Sequence, residues 1–178
     1  MKLKHIYLFV GPSGSGKTTI TKELEKLYGY IPISSYTTRP PRYEGEEGHI
    51  FVTEEEFDAL GEMAAFTKYN GYRYGVTSDI IDKSDLYVID PAGVQYFKEH
   101  YHGNKKPIII FINADPSARL QRMKDRGDSD EAAYERLRND LHEFTKSLNP
   151  DICVTNDVFQ RTVGVIHAII EYYETWDI

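Results

Sequence analysis

The first 29 residues change from an apolar run to a polar loop and then to an amphipathic stretch. Residues 5–10 are almost continuously apolar, which is typical of a parallel strand covered on both faces. After the loop, Ile20, Leu24 and Leu27 recur at helical spacing until Gly29 ends the pattern. The chain therefore begins with a predicted strand, loop and helix.

Apolar runs of strand length recur along the remainder of the 178 residues, with helical patterns between them. These runs predict further strands at residues 30–34, 49–52, 86–90, 107–112 and 152–154. Asn70-Gly71 predicts a hairpin between residues 66–69 and 72–74. Strands that alternate with helices favour a single α/β domain with a parallel sheet.

Short polar signatures predict where two of the helices begin. Thr53 and Glu56 have the spacing of a capping box, in which each side chain accepts the backbone N–H of the other. Asp115 followed by Pro116 supplies an N-cap and a proline in the first turn. A last helix is predicted over residues 163–173, where apolar side chains recur at helical spacing.

The loop after the first predicted strand carries a phosphate-binding motif. Residues 11–18, called the P-loop below, read G-P-S-G-S-G-K-T and fit the pattern G-x-x-x-x-G-K-[ST] at every position. The three glycines give the backbone freedom and clearance to bring its N–H groups close to a phosphate chain. Lys17 adds positive charge for the β- and γ-phosphates, and Thr18 offers a hydroxyl to Mg²⁺. The residues predicted to bind the donor phosphates are Gly11, Pro12, Ser13, Gly14, Ser15, Gly16, Lys17, Thr18 and Thr19.

A second candidate anion site follows the first helix. Arg39 and Arg42 lie three residues apart in a segment that Pro40 and Pro41 keep extended. Two arginines on a stiff loop can grip a phosphate or carboxylate from several sides. A solvated surface turn fits the same residues equally well.

Asp90 stands at the end of an apolar strand. The carboxyl ends of parallel strands form the edge at which doubly wound folds bind ligands, so Asp90 is a candidate for contact with a metal ion or substrate. Many strands end in aspartate simply to form a turn, which is the alternative.

Arginines are concentrated in a later part of this acidic chain. They are Arg119, Arg122, Arg126, Arg136 and Arg138. Gly127 breaks the helical pattern beside them, as expected for a lid that carries positive charge to a transferring phosphoryl group. The alternative is a solvent-exposed face whose arginines pair with Asp125, Glu135 and Asp140.

Composition narrows the class of protein. A net charge of −7 argues against a nucleic-acid partner. The longest apolar stretch, residues 108–112, is too short to cross a bilayer, and the first strand begins too early for a signal peptide. We therefore expect a cytoplasmic protein without a membrane partner. The single cysteine, Cys153, excludes an intrachain disulfide and is expected to be a buried, inert thiol.

Over nearly its whole length the chain resembles a guanylate kinase. The motifs that carry the resemblance, in the family's order, are the P-loop, residues 37–42, residues 51–57, Tyr74-Gly75, Asp90, Arg126-Gly127, Arg136-Leu137 and Asn156-Asp157. The resemblance implies an α/β P-loop kinase: a doubly wound parallel sheet with an inserted acceptor-binding α+β subdomain and a helical lid. Residues 1–33 and 84–178 would form the core, residues 34–83 approximately the insert and residues 122–138 approximately the lid.

The resemblance also implies roles for individual residues. Ser35, Arg39, Arg42 and Tyr74 would grip the phosphate of the acceptor nucleotide. Asp90 would lie near the acceptor and Mg²⁺, and Asn156 near the adenine of ATP. Arg122, Arg126 and Arg136 would act from the lid.

Three positions depart from the family pattern. His49 stands where these enzymes have a tyrosine on the acceptor phosphate. Ala65 replaces the glutamate that reads the guanine edge, and Val76 replaces the serine or threonine that contacts the base. We therefore expect a guanine preference below about 10³ over adenine, unless Glu62 supplies the missing carboxylate.

The expected activity is phosphoryl transfer from ATP, with Mg²⁺, to a small phosphorylated acceptor, most simply a nucleoside monophosphate such as GMP or dGMP. One alternative is a sugar-phosphate kinase like the ribose bisphosphate phosphokinases, whose acceptor has no base. The other is an inactive guanylate-kinase-like binding module, although the P-loop here is intact.

Overall fold

A four-stranded parallel sheet forms the centre of the fold. The structure, a computed structural model, describes residues 3–41, 44–69, 71–144 and 148–176. The strands lie side by side in the order β6 (Leu86–Val88), β1 (His5–Val10), β7 (Lys106–Asn113) and β8 (Ile152–Thr155). The predicted α/β architecture with a parallel sheet is confirmed.

Helices connect these strands and cover the sheet. In the described part of the chain they are α1 (Lys17–Tyr28), α2 (Glu54–Ala59), α3 (Ser78–Lys83), α4 (Pro91–His100), α5 (Pro116–Asp125), α6 (Asp130–Glu143) and α7 (Phe159–Trp176). None of them combines the length and the apolar character that crossing a membrane requires.

Both faces of the central sheet are buried, which explains the continuous apolar run of β1. Tyr7 and Phe9 belong to a cluster that includes side chains of α1 and α7. Ile6, Leu8 and Val10 belong to a second cluster on the opposite face, with side chains of α3 and α4. Alternate residues of one strand thus serve two cores, as expected for a parallel sheet between two layers of helix.

A second, mixed sheet lies between α1 and α3 in the sequence. Its strands lie in the order β3 (His49–Phe51), β2 (Ser35–Thr37), β5 (Tyr72–Val76) and β4 (Ala65–Tyr69). Strands β2 and β3 are parallel, whereas β5 is antiparallel to both β2 and β4. The predicted hairpin is confirmed by the β4–β5 pairing, although Asn70 itself lies outside the described residues.

The predicted helix starts are also confirmed. Thr53 Oγ accepts the Glu56 N–H at 3.1 Å while Glu56 Oε2 accepts the Thr53 N–H at 2.8 Å, which completes the capping box before α2. Asp115 caps α5, with Pro116 in the first turn. Each side chain satisfies a backbone N–H that has no partner within its helix.

Two local expectations need correction. The strand predicted at residues 30–34 is reduced to a single bridge between Pro32 and Leu86, since proline has no N–H to extend the ladder. Cys153 is exposed, not buried. It lies on the edge strand β8, where alternate side chains point to opposite faces and Val154 takes the buried one.

Glu174 joins the last helix to the first strand. Its carboxylate accepts the Lys4 N–H at 2.7 Å, the His5 ring N–H at 2.9 Å and the Tyr7 hydroxyl at 2.9 Å. Burial by itself would raise the pKa of Glu174, but these hydrogen bonds outweigh burial and hold the pKa below its usual value. The ionised carboxylate therefore stabilises the contact between α7 and β1.

We expect Glu174→Gln to lower the free energy of unfolding at pH 7 by about 1–3 kcal/mol, because the amide cannot accept all of these hydrogen bonds. Since the folded-state pKa is lowered, the ionised carboxylate stabilises the fold above the unfolded-state pKa. That contribution disappears as the pH falls through the folded-state pKa. Urea unfolding of both proteins between pH 7 and pH 3 measures the difference, which should shrink in acid.

The exposed Glu25→Gln on α1 is the control for this measurement and should change stability little at any pH. A difference between wild type and Glu174→Gln that stays constant across this pH range would contradict the assignment.

Candidate active site

The P-loop connects β1 to α1 in a conformation that only glycine permits at key positions. Gly14 has φ +75°, and a Cβ there would lie 2.6 Å from the Arg119 carbonyl oxygen. Gly16 has φ +99°, and its Cβ would lie 2.5 Å from Asn156 Nδ2. The glycines therefore allow both the curvature of the loop and its close contact with residues far along the chain.

Lys17 lies across the loop at the first residue of α1. Its Nζ donates to the Gly11 carbonyl oxygen at 2.5 Å and to the Pro12 carbonyl oxygen at 3.0 Å. Thr18 and Thr19 follow on the exposed first turn of the helix. A helix N-terminus with an ammonium group and free hydroxyls beside it suits a phosphate chain.

Arg122 and Asn156 hold two carbonyl groups of the P-loop. Arg122 donates to the carbonyl oxygens of Gly14 at 3.2 Å and Ser15 at 3.3 Å, and also to the Asn156 carbonyl oxygen at 3.2 Å. Asn156 is 3 % exposed and donates its side-chain N–H to the Ser15 carbonyl oxygen at 2.8 Å. The structure thus brings two predicted site residues from distant elements to the P-loop.

The other two predicted lid arginines share one carboxylate. Arg126 donates to Asp128 Oδ2 at 2.7 Å, and Arg136 Nε lies 3.5 Å from the same oxygen. Arg126 ends α5 and Arg136 lies on α6, so Asp128 holds the two together across the turn between these helices. This arrangement keeps two positive charges close to each other.

Ser35, Arg39, His49 and Tyr74, called the acceptor cluster below, come together on the second sheet. Ser35 Oγ lies 2.9 Å from His49 Nδ1, and these residues face each other across β2 and β3. The His49 and Tyr74 rings are 5.7 Å apart. Arg42, the remaining residue predicted to hold the acceptor phosphate, lies outside the described residues.

Arg39 is paired with Glu46 inside this cluster. Its guanidinium donates to both Glu46 oxygens, at 3.1 and 2.8 Å, and lies 5.4 Å from the centre of the Phe51 ring. The Glu46 carboxylate raises the pKa of Arg39, burial opposes the rise and the Tyr74 hydroxyl adds to it. Arg39 is therefore a charged, oriented group in a site that accepts a bidentate anion.

Asp90 is the N-cap of α4 at the carboxyl edge of the sheet. Its Oδ1 accepts the Gly93 N–H at 2.5 Å, as the turn interpretation expected. The Ile89 N–H donates to Phe9, so the carboxylate follows a strand that lies directly beside the one leading to the P-loop. The Thr18 hydroxyl and the Asp90 carboxylate are hard oxygen ligands, which are the type that Mg²⁺ prefers.

Ala65 and Val76 face each other across β4 and β5 and are both 0 % exposed. The two positions expected to read a base are thus neighbours, but neither offers a hydrogen bond from its side chain. Glu62 precedes β4 as an exposed residue and, with His100 and His102, lines a cavity of about 220 Å³. No residue of the P-loop or the acceptor cluster lines that cavity.

The sequence did not reveal the partners that four site residues have in the structure. Glu46 stands among several acidic residues of a loop, where no periodicity distinguishes a buried side chain from a solvated one. Asp128 directly follows Gly127, where the sequence indicates a helix break and no ion pair. The sequence offered Arg119 and Asp140 only as members of a solvent-exposed charged face, but both are buried and contact Ser13 of the P-loop. Their separation of 21 residues gives no local signal of that contact.

Comparisons with known proteins show which family the chain resembles. A family model described as guanylate kinase matches residues 3–173. The chain is 31% identical to a guanylate kinase of Polaromonas sp., covering 93% of this chain and 86% of that protein. It is also 31% identical to a guanylate kinase of Rickettsia typhi, covering 96% and 93%.

A solved structure shows the same fold. The crystal structure of guanylate kinase from Anaplasma phagocytophilum superposes with a TM-score of 0.67 at 25% identity, covering 98% of this chain and 88% of that one. On these grounds the chain belongs to the guanylate kinase family.

Proposed function

We propose that this protein transfers the γ-phosphoryl group of ATP to the phosphate of GMP or dGMP, forming the nucleoside diphosphate and ADP. The observation that carries the proposal is the pairing of an intact P-loop with a second anion-binding site, the acceptor cluster, in a chain of this family. Residues 34–83 approximately form the acceptor-binding insert, residues 1–33 and 84–178 the core, and residues 122–138 approximately the lid.

The P-loop and α1 bind the donor. Backbone N–H groups of Gly14 and residues 16–19 surround the phosphates, and Lys17 leaves the Gly11 and Pro12 carbonyls to neutralise the β- and γ-phosphates. Thr18 and Asp90 would hold Mg²⁺, which supplies positive charge to the phosphate oxygens when bound. Asn156 contacts the loop at the Ser15 carbonyl, and the proposal places adenine next to Asn156.

The acceptor cluster aligns the acceptor phosphate. Arg39, with Arg42, would bind its oxygens, and Ser35, His49 and Tyr74 would donate or share hydrogen bonds. The incoming phosphate must share the Arg39 guanidinium with Glu46 or displace it. An acceptor phosphate is already anionic, so the reaction needs no general base, and alignment supplies most of the catalysis.

The lid arginines stabilise charge on the transferring group. Arg122 already lies on the P-loop, whereas Arg126 and Arg136 must exchange Asp128 for phosphate oxygens. Closure of the turn around Gly127 would bring them to the reacting phosphates and exclude water.

We expect Lys17→Met to reduce kcat by about 10³ or more, because it removes a principal charge from the transferring phosphoryl group. The melting temperature should change little. Lys22→Met, on the same helix at an exposed position, is the control and should keep wild-type turnover. Turnover near the wild-type rate in folded Lys17→Met would remove the assignment of phosphoryl transfer.

Arg39→Ala should weaken GMP binding about tenfold or more while ATP binding stays nearly unchanged, since the proposal places Arg39 on the acceptor phosphate and not on ATP. Arg126→Ala should mainly lower kcat, because its charge acts in the transition state. Calorimetric titration with each nucleotide, together with steady-state kinetics, separates the two effects.

Arg39→Ala also removes the guanidinium that pairs with the Glu46 carboxylate, so Arg39→Ala/Glu46→Gln is measured as well. GMP binding by this folded double variant at wild-type strength would show that Arg39 is not an acceptor ligand.

The apolar Ala65–Val76 pair predicts modest base selection. We expect kcat/KM for GMP to exceed that for AMP by less than about 10³, because apolar contacts discriminate only about 10 to 200-fold. Kinetics with both acceptors, for the wild type and for Glu62→Ala, make the comparison. A larger preference for GMP that is lost in Glu62→Ala would show that Glu62 reads the base.

A further inference from the structure

One buried ion pair holds every polar group of Ser13. Its N–H donates to Asp140 Oδ2 at 3.0 Å, its hydroxyl donates to Asp140 Oδ1 at 3.3 Å, and its carbonyl oxygen accepts from Arg119 Nε at 2.9 Å. Arg119 also donates directly to the Asp140 carboxylate. Arg119 lies on α5 and Asp140 on α6, so the pair joins both helices to the P-loop.

The contact with the Ser13 carbonyl determines which way the next N–H points. In a trans peptide the carbonyl oxygen of one residue and the N–H of the next point in opposite directions. Arg119 holds the Ser13 carbonyl on the side of the loop that faces α5. The Gly14 N–H is therefore directed to the opposite side. That is the side from which a cradle of N–H groups contacts phosphate.

Burial makes this contact stiff. Arg119 and Asp140 are each 8 % exposed, and the α5 backbone approaches Gly14 so closely that no Cβ fits between them. A buried guanidinium without its carboxylate, or the reverse, is costly, so each side chain keeps the other in place. The planar guanidinium can donate to Ser13 and Asp140 at the same time, which an ammonium group does with less precision.

We propose that Arg119 and Asp140 are positioning residues that orient the Ser13–Gly14 peptide for the donor phosphates. The proposal rests on the proposed function, in which the P-loop binds ATP. The pair contacts the loop at Ser13, and its effect reaches the nucleotide through the backbone. It should therefore affect ATP far more than GMP.

The test compares Arg119→Met, Asp140→Asn and wild type. Calorimetric titration with Mg²⁺-ATP measures donor affinity, titration with GMP measures acceptor affinity, and steady-state kinetics measure KM and kcat. We expect both variants to bind ATP about 10 to 100-fold more weakly, the usual range for lost hydrogen bonds to a charged group. GMP affinity should change less than about threefold.

Lys105→Met is the matched control for the loss of a buried ion pair. Lys105 pairs with Asp85 at 3.0 Å and its side chain is only 3 % exposed, but it lies just before β7, outside the P-loop contacts. It should lower the melting temperature while leaving the KM for ATP unchanged. An equal rise in the KM for ATP in Lys105→Met would show that general destabilisation is the cause and would overturn the proposal.

Arg119→Lys keeps the experiment decisive if Arg119→Met does not fold. Lysine retains a charge beside Asp140 and should restore most of the melting temperature, but it cannot hold Ser13 and Asp140 together in the same geometry. We expect ATP affinity to remain reduced. ATP affinity equal to wild type in Arg119→Lys would overturn the positioning role, whereas a wild type that binds no ATP would overturn the proposed function itself.

Discussion

A loop that offers its N–H groups to phosphate must place its carbonyl groups elsewhere, and much of the site is built to meet that requirement. From residue 11 to residue 15, every P-loop carbonyl accepts a hydrogen bond from a side chain. The donors are Lys17, Arg119, Arg122 and Asn156, which come from α1, α5 and the segment after β8. The parallel sheet brings these segments to one edge, so the arrangement of strands serves the shape of the loop.

Ion pairs orient the arginine side chains of the site in this acidic protein. Arg39 pairs with Glu46, and Arg119 pairs with Asp140. Arg126 and Arg136 both pair with Asp128. Each pairing holds a guanidinium in a defined orientation. The first two pairings add no net charge, whereas two arginines on the single Asp128 carboxylate leave net positive charge. The pairs differ in what an anionic substrate can do to them. Asp128 and its arginines are partly exposed and can be exchanged for phosphate, whereas Arg119 and Asp140 are buried and remain in place.

Local features of the site were predictable because each depends on residues close together in sequence. The P-loop pattern, the capping box at Thr53 and Glu56, the hairpin and the apolar run of β1 all express short-range geometry. Two predictions were wrong because they used local sequence alone and did not take account of the neighbouring strands. Pro32 shortened a predicted strand to one bridge, and Cys153 is exposed because β8 is an edge strand that buries only alternate side chains.

The sequence by itself determined the family, the α/β class, the P-loop and the identity of most charged side chains near it. Only the tertiary structure decided how those charges are partnered. Glu46 could have faced solvent, and Arg119 could have paired on a surface, since nothing within a helix turn or a loop distinguishes these outcomes. A buried ion pair forms where packing excludes water and backbone groups need partners. That condition depends on residues far apart in the chain, such as Ser13 and Asp140, which are separated by 127 positions.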